Sequence, residues 1–312
     1  MRSAFEERDR TFLRISRTDR ESIASSTGSD TGYCSSRERS GRDGLLDLRF
    51  ARSGGRTILR QYRYTLPLQA LTPFQLEDGT AYLMLLNPTG GVLGGDSLIT
   101  RVQQGNGTHV LLTTPSATRV YRTPRQPAFQ HTAIQLGEDA ILEYVPDHTI
   151  PHAGASLCQT LRINLSGGSK TIVLESFAAG RLACGERWSF RDMDLKTEVF
   201  LQEKPLMLNR TRITPYLRDP SQMGVMEDFN YMASLSVFAG GFADWEKVAK
   251  ALQQTIDETT GIFGGVSALA RGGCVARYLT RSTPELSAIN SRLWFVARRH
   301  VLGLAPFPMR KY

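Results

Sequence analysis

Short runs of β-branched, aromatic and apolar residues, broken at a regular interval by glycine, constrain this chain more than any other feature. Three successive units show the pattern. "SLITRVQ" and "THVLLTT" flank "QGNG"; "FQHTAIQL" and "AILEYV" flank "GED"; "TLRINL" and "KTIVLES" flank "SGG". The runs have strand composition, and the glycines supply the positive φ that tight turns need. In the third unit Leu161, Ile163 and Leu165 alternate with polar partners, as a half-buried strand requires. The turns fall near residues 106, 138 and 167 with no sequence repeat between the units. Runs joined by such short turns predict three hairpins. "RTILRQYRYTL" and "AYLMLL" precede them, and "ERWSF", "TEVFLQ" and "LMLNRTRI" extend the strand-rich tract to about residue 214.

Helical periodicity is confined to the C-terminal third. In "ADWEKVAKALQQTIDETTG" the residues Trp245, Val248, Ala249, Leu252 and Ile256 make one apolar stripe, with Asp244 placed to cap the start and Gly261 the end. In "TPELSAINSRLWFVARRHVLGL" the stripe is Leu286, Ile289, Leu293, Val296 or Ala297, and Val301, with Pro284 in the first turn and Gly303 at the end. Arg292, Arg298 and Arg299 are expected on the opposite, polar face. Between the helices, "GIFGGVSALARGGCVARYLTR" reads as a glycine-interrupted pair of strands.

Residues 1–43 have a different texture. They hold nine arginines against eight acids, so they carry +1 of the chain's +8. With few apolar residues and clusters of Ser, Thr and Gly, they cannot bury enough surface to offset the entropy of ordering. A disordered Arg/Ser-rich tail is expected there, followed by a single β-rich domain over 44–312. A targeting peptide fits poorly, because transit peptides are poor in acids. No apolar run approaches the length of a membrane span, and no secretory signal is present, so a soluble, cytoplasmic chain is expected. The four cysteines, at 34, 158, 184 and 274, form no CxxC pair and read as reduced thiols.

Three stretches concentrate chemistry. "NPTGGVLGGDSL" has neither dinucleotide-loop nor P-loop spacing; it reads as a glycine-rich strand corner that presents Asp96. "EYVPDHTIPHAGA" crowds Glu143, Asp147, His148 and His152. Pro151 argues against the helix that would put both histidines on one face, so a turn with solvated polar groups competes with a metal site. "ESFAAGRLACGERWSF" brackets Gly180 and Arg181 between Glu175 and Glu186, with Cys184 between them. Carboxylates and a thiol suit a divalent metal such as nickel, and a plain Glu–Arg ion pair suits the same residues. Hydrolase, zincin and kinase signatures are absent. The basic clusters lack the aromatic interleaving of a single-strand nucleic-acid platform, so nucleic acid is not an expected partner.

Taken in order, "LNPTGGVLGGDSL", "LLTTPSATRVYR", "LEYVPDHTIPHAGASLCQTLRINL", "LESFAAGRLACGERWSF" and "LWFVARRHVLGL" resemble the UreD (UreH) family of urease accessory proteins. The resemblance implies a mainly β, layered, β-helical-like sheet scaffold with two C-terminal α-helices. It also implies a maturation factor without turnover of its own. Such a protein binds apo-urease and UreF, and through UreF the GTPase UreG, and helps to assemble the dinuclear nickel site of urease. No cofactor is expected to be tightly bound, with nickel only in transit through an internal passage. Carried over by motif, Asp96, Glu175 and Glu186 are the expected passage groups. Asp147, His148, His152 and Cys184 are secondary metal candidates. His148 and His152 stand where the family commonly has proline and an aromatic, and the tail has no counterpart in the family pattern. A different class of function, a metalloenzyme with Glu143, Asp147, His148 and His152 as ligands, is the alternative.

Overall fold

Asp43 opens the first strand of the computed structural model, which describes residues 43–242, 244–307 and 309; the expected tail otherwise lies outside the described residues. β1 (Asp43–Ser53) and β2 (Arg56–Thr65) pair antiparallel, and short β3 (Gln69–Ala70) and β4 (Phe74–Gln75) both pair with β5 (Ala81–Leu86). The chain then coils. β6 (Ser97–Gln104) leads into β7 (His109–Thr113), and β8 (Thr118–Val120) lies on the return path. β9 (Ala128–Leu136), β10 (Ile141–Tyr144) and β11 (Thr149–Pro151) repeat that course. β12 (Ser156–Leu165) and β13 (Lys170–Ala178) begin it once more, and β14 (Asp192–Leu201) follows. After β15 (Lys204–Ile213) and β16 (Tyr231–Ala239) come α1 (Trp245–Asp257), β17 (Phe263–Leu269), β18 (Gly273–Thr280) and α2 (Thr283–Ala297).

The three expected hairpins are a correction. β6, β9 and β12 lie in one seven-stranded sheet, ordered β15-β14-β12-β9-β6-β1-β2, while β7, β10 and β13 lie in a second sheet. Each strand pairs in parallel with its counterpart one coil away, as in Thr100↔Thr132 and Glu143↔Ile172. The glycine turns are therefore coil corners that carry the chain between sheets. They stack on one another through Gly107 N to the Glu138 carbonyl (2.8 Å) and Asp139 N to the Gly167 carbonyl (3.1 Å). A parallel pair needs a long connection, and one full coil provides it.

Other expectations meet mixed outcomes. β17 and β18 form the glycine-interrupted antiparallel pair. "ERWSF" is not a strand: Trp188 has φ 55°, and its ring packs with Phe177 and Phe190 in an aromatic cluster. Asp244 occupies the cap position of α1 without a side-chain cap bond, and Gly261 lies in the turn beyond the helix end. α2 starts with a capping box in which the Ser282 hydroxyl accepts from Glu285 N and the Glu285 carboxylate accepts from Ser282 N. α2 runs into a π turn (Arg298–Leu302) that ends at Gly303 with φ 71°. Arg298, expected on the polar face, is only 1% exposed.

Two cores result. Leu48, Leu112, Ile134 and Ile163 pack between the sheets. Leu174, Leu235, Leu252 and Leu293 pack between the second sheet and the helices. Burying each such side chain is worth about 1.5–3 kcal/mol, so both faces of the second sheet are strongly held. The outer face of the first sheet carries alternating polar residues. Among the described residues no helix is long and apolar enough to cross a membrane.

Candidate functional site

The inner faces of the two sheets do not close completely. A cavity of about 410 Å³ runs between them. Period-two alternation decides what lines it. On the first sheet, register aligns Thr100, Thr132, Leu161, Thr197 and Asn209 in one row across β6, β9, β12, β14 and β15. On the second sheet, Glu175, Ser234 and Arg277 align across β13, β16 and β18. Hydrogen bonds cross between the two sheets along these rows and beside them. Tyr144 bonds to Thr132. The Thr197 hydroxyl donates to Glu175 Oε2 at 2.7 Å, and Arg277 Nη2 donates to Asn209 Oδ1 at 3.1 Å.

Glu175 is the one carboxylate deep in this row. Part of its surface is accessible, but to the cavity it lines. Burial pushes its pKa up, and the Thr197 hydrogen bond offsets part of that rise. Burial likewise pushes the Tyr144 phenol up, and the nearby Glu175 charge adds to the effect. One carboxylate with a hydroxyl bonded to it is an oxygen donor set, without the grouped ligands of a closed metal cage.

Parts of several sequence motifs come together in the cavity lining. Asn87, Pro88, Gly90 and Gly91 lie there with Thr114–Arg119 and Asp147. Gly91 is required by close approach, because a Cβ there would sit 2.5 Å from the Arg119 carbonyl oxygen. Val92 N donates to that carbonyl at 2.8 Å, so the glycine-rich loop and the "TRVYR" segment form one layer.

The other expected residues lie elsewhere. Asp96 is buried and accepts from Leu93 N at 2.8 Å, which fixes the loop corner; it does not line the cavity. Glu186 also stands outside the cavity lining. It pairs with Arg181 and accepts from Ala153 N at 2.9 Å, and Arg181 together with that bond holds its pKa down at about 2. Cys184 is exposed at the end of a 3₁₀ turn (Leu182–Cys184). His148 packs edge-on against Tyr231 and His152 against Tyr121. Burial lowers the pKa of His152, and Arg181 lowers it further. Glu143 faces the helices, where it accepts from Trp294 Nε1 at 2.7 Å. Among the described residues no three His, Cys, Asp or Glu side chains are grouped to hold a metal.

Sequence reasoning missed Thr132, Tyr144, Thr197, Asn209 and Arg277. A signal was present: the inner face of β9 reads Gln130, Thr132, Ile134, Leu136, so polar residues occupy positions where a sealed core wants apolar ones.

The sequence pattern of the UreD urease accessory protein family matches residues 42–312. The Herpetosiphon aurantiacus protein named urease accessory protein UreD is 34% identical over 274 residues, covering 86% of this chain and 96% of the relative. A protein of the same name from Deinococcus radiodurans is 35% identical over 274 residues, covering 86% and 95%. The chain that builds this lined cavity from two stacked sheets belongs to the UreD family of urease accessory proteins.

Proposed function

We propose that this urease accessory protein is a scaffold that binds apo-urease and UreF, and through UreF the GTPase UreG. In this reading the cavity is a passage along which Ni²⁺ moves toward the dinuclear site of urease. One observation carries it: the cross-sheet polar row around Glu175, in a position where an apolar core would be more stable. Nickel accepts oxygen donors readily. A transfer protein must also release its cargo, and one carboxylate among neutral oxygens binds weakly enough to do so.

Replacing Glu175 by Gln keeps the acceptor for Thr197 and removes the charge. Urease activation in a complete accessory set is expected to fall about tenfold, roughly 1.4 kcal/mol, while the complex still co-purifies. Folding is not the cause of that loss, and pH shows why. Because burial raises the folded-state pKa of Glu175 above its ordinary 4.5, the unfolded chain gives up this proton first. The native protein therefore loses stability as pH rises from about 4.5 through the folded pKa. Gln removes that loss, so E175Q is expected to melt at or above the temperature of the unaltered protein at neutral pH. Unchanged activation by E175Q would remove Glu175 from the transfer path.

A further inference from the structure

Thr197 stands on the inner face of β14 between Leu195 and Val199, at a position where a sealed core would carry an apolar side chain. Only 3% of it is exposed. Its strand is paired on both sides, with β12 in parallel and with β15 antiparallel, so the backbone that carries it is fixed from both directions. Threonine is also stiff about χ1, because two heavy atoms on Cβ leave few rotamers open. The hydroxyl is thus in place before any cargo arrives. It reaches across the gap between the sheets and donates to Glu175 Oε2 at 2.7 Å.

The two oxygens of Glu175 are consequently unequal. Oε2 receives the Thr197 hydrogen bond, whereas Oε1 has no hydrogen-bond or ion-pair partner among the described residues. Asn209, which faces Thr197 across the β14–β15 pair, is engaged with Arg277 instead. A hydrogen bond to an ionised oxygen belongs to the stronger class. A cation gripped by both oxygens has to displace that donor, and a cation on Oε1 alone does not.

We infer that Thr197 is a positioning residue of the transfer path: its hydroxyl ties down Glu175 Oε2, so that passing Ni²⁺ is met by Oε1 alone and leaves quickly. A carboxylate with both oxygens free can close on a divalent cation as a two-oxygen chelate and hold it longer. Thr197 acts only through Glu175, so this role rests on the passage reading. What it adds is the group that sets how long the cargo stays on the carboxylate.

Release of Ni²⁺ from the full chain to a chromogenic chelator tests this role, followed by stopped flow at mildly alkaline pH beside urease activation by the complete accessory set. E175Q identifies the release phase that belongs to Glu175, and the lack of such a phase overturns the inference. Thr197→Val keeps the shape and removes the donor. In that variant Ni²⁺ is expected to leave Glu175 at least about tenfold more slowly, and activation should saturate at lower Ni²⁺ with a lower maximum. Thr197→Ser keeps the donor and should release within about threefold of the unaltered chain. A purely structural role for Thr197 would loosen the site in Thr197→Val rather than tighten it. Thr197→Ala takes the place of Thr197→Val if that variant does not fold. Added to E175Q, Thr197→Val should change neither release nor activation further. Unchanged or faster release in Thr197→Val overturns the inference, as does an undiminished effect in the E175Q background. Normal activation by E175Q removes the passage reading and this role with it. Impaired activation by E175Q, with release unaltered in Thr197→Val, removes only the role of Thr197.

Discussion

Arg298→Ala is expected to destabilise the protein by about 3–5 kcal/mol, read as a shift in the urea midpoint. Arg298 leaves the helical layer and reaches the second sheet, with Nε 3.2 Å from Glu143 Oε2 and Nη2 3.5 Å from Asp78 Oδ2. Glu143 is fully buried, and it also accepts from Trp294 Nε1 and lies 2.8 Å from His109 Nε2. The far side of that imidazole, Nδ1, meets the Thr80 hydroxyl at 2.8 Å. Residues far apart in the chain are thus tied into one buried polar network that holds α2 to the sheet. Removing the guanidinium leaves a desolvated carboxylate without its cation, and desolvation of that group dominates the cost. The double variant Arg298→Met, Glu143→Gln should lose much less than Arg298→Ala alone, because it removes both charges together. Equal losses would mean that packing, not charge, sets the effect.

Gly180→Ala is expected to cost at least about 2 kcal/mol, with backbone strain of this kind alone worth about 1–3 kcal/mol. Gly180 has φ +145°, and a Cβ there would lie 2.0 Å from the Glu186 carbonyl oxygen. That carbonyl has little room to retreat, since the Glu186 side chain is held by Arg181 and by Ala153 N. Gly180 follows directly on the segment that leaves β13, the strand carrying Glu175. Limited proteolysis should therefore find residues 180–188 cut earlier in the variant than in the unaltered protein. An unchanged urea midpoint would show that the segment relaxes around the methyl group.

These effects also show what the sequence makes legible. Strand composition, glycine turns and both helical stripes are local properties, and the elements they predict exist apart from the strand expected at "ERWSF". Strand partners are not local. The turn at Gly107 serves a hairpin and a coil corner equally well, and only the pairing of β6 with β9 one coil later decides between them. Arg298 illustrates a second limit: the π turn that begins there departs from the helical spacing that placed it on the polar face. Among the motif carboxylates, Glu175 and Asp147 line the cavity, whereas Asp96 and Glu186 are tied up in loop and ion-pair geometry. No spacing rule distinguishes those cases. The row Thr132, Thr197, Asn209 and Arg277 escaped notice because its members are spread over four strands and only sheet register brings them together.

The central claim is that cargo moves between the sheets, and obstruction tests it without touching any ligand. Ser234 lies in the row between Glu175 and Arg277 and lines the cavity. A Ser234→Trp side chain should fill that part of the passage. Nickel-dependent urease activation by the complete accessory set should then fall at least tenfold, while the variant still co-purifies with apo-urease and UreF. Full activation with the passage filled would contradict the account.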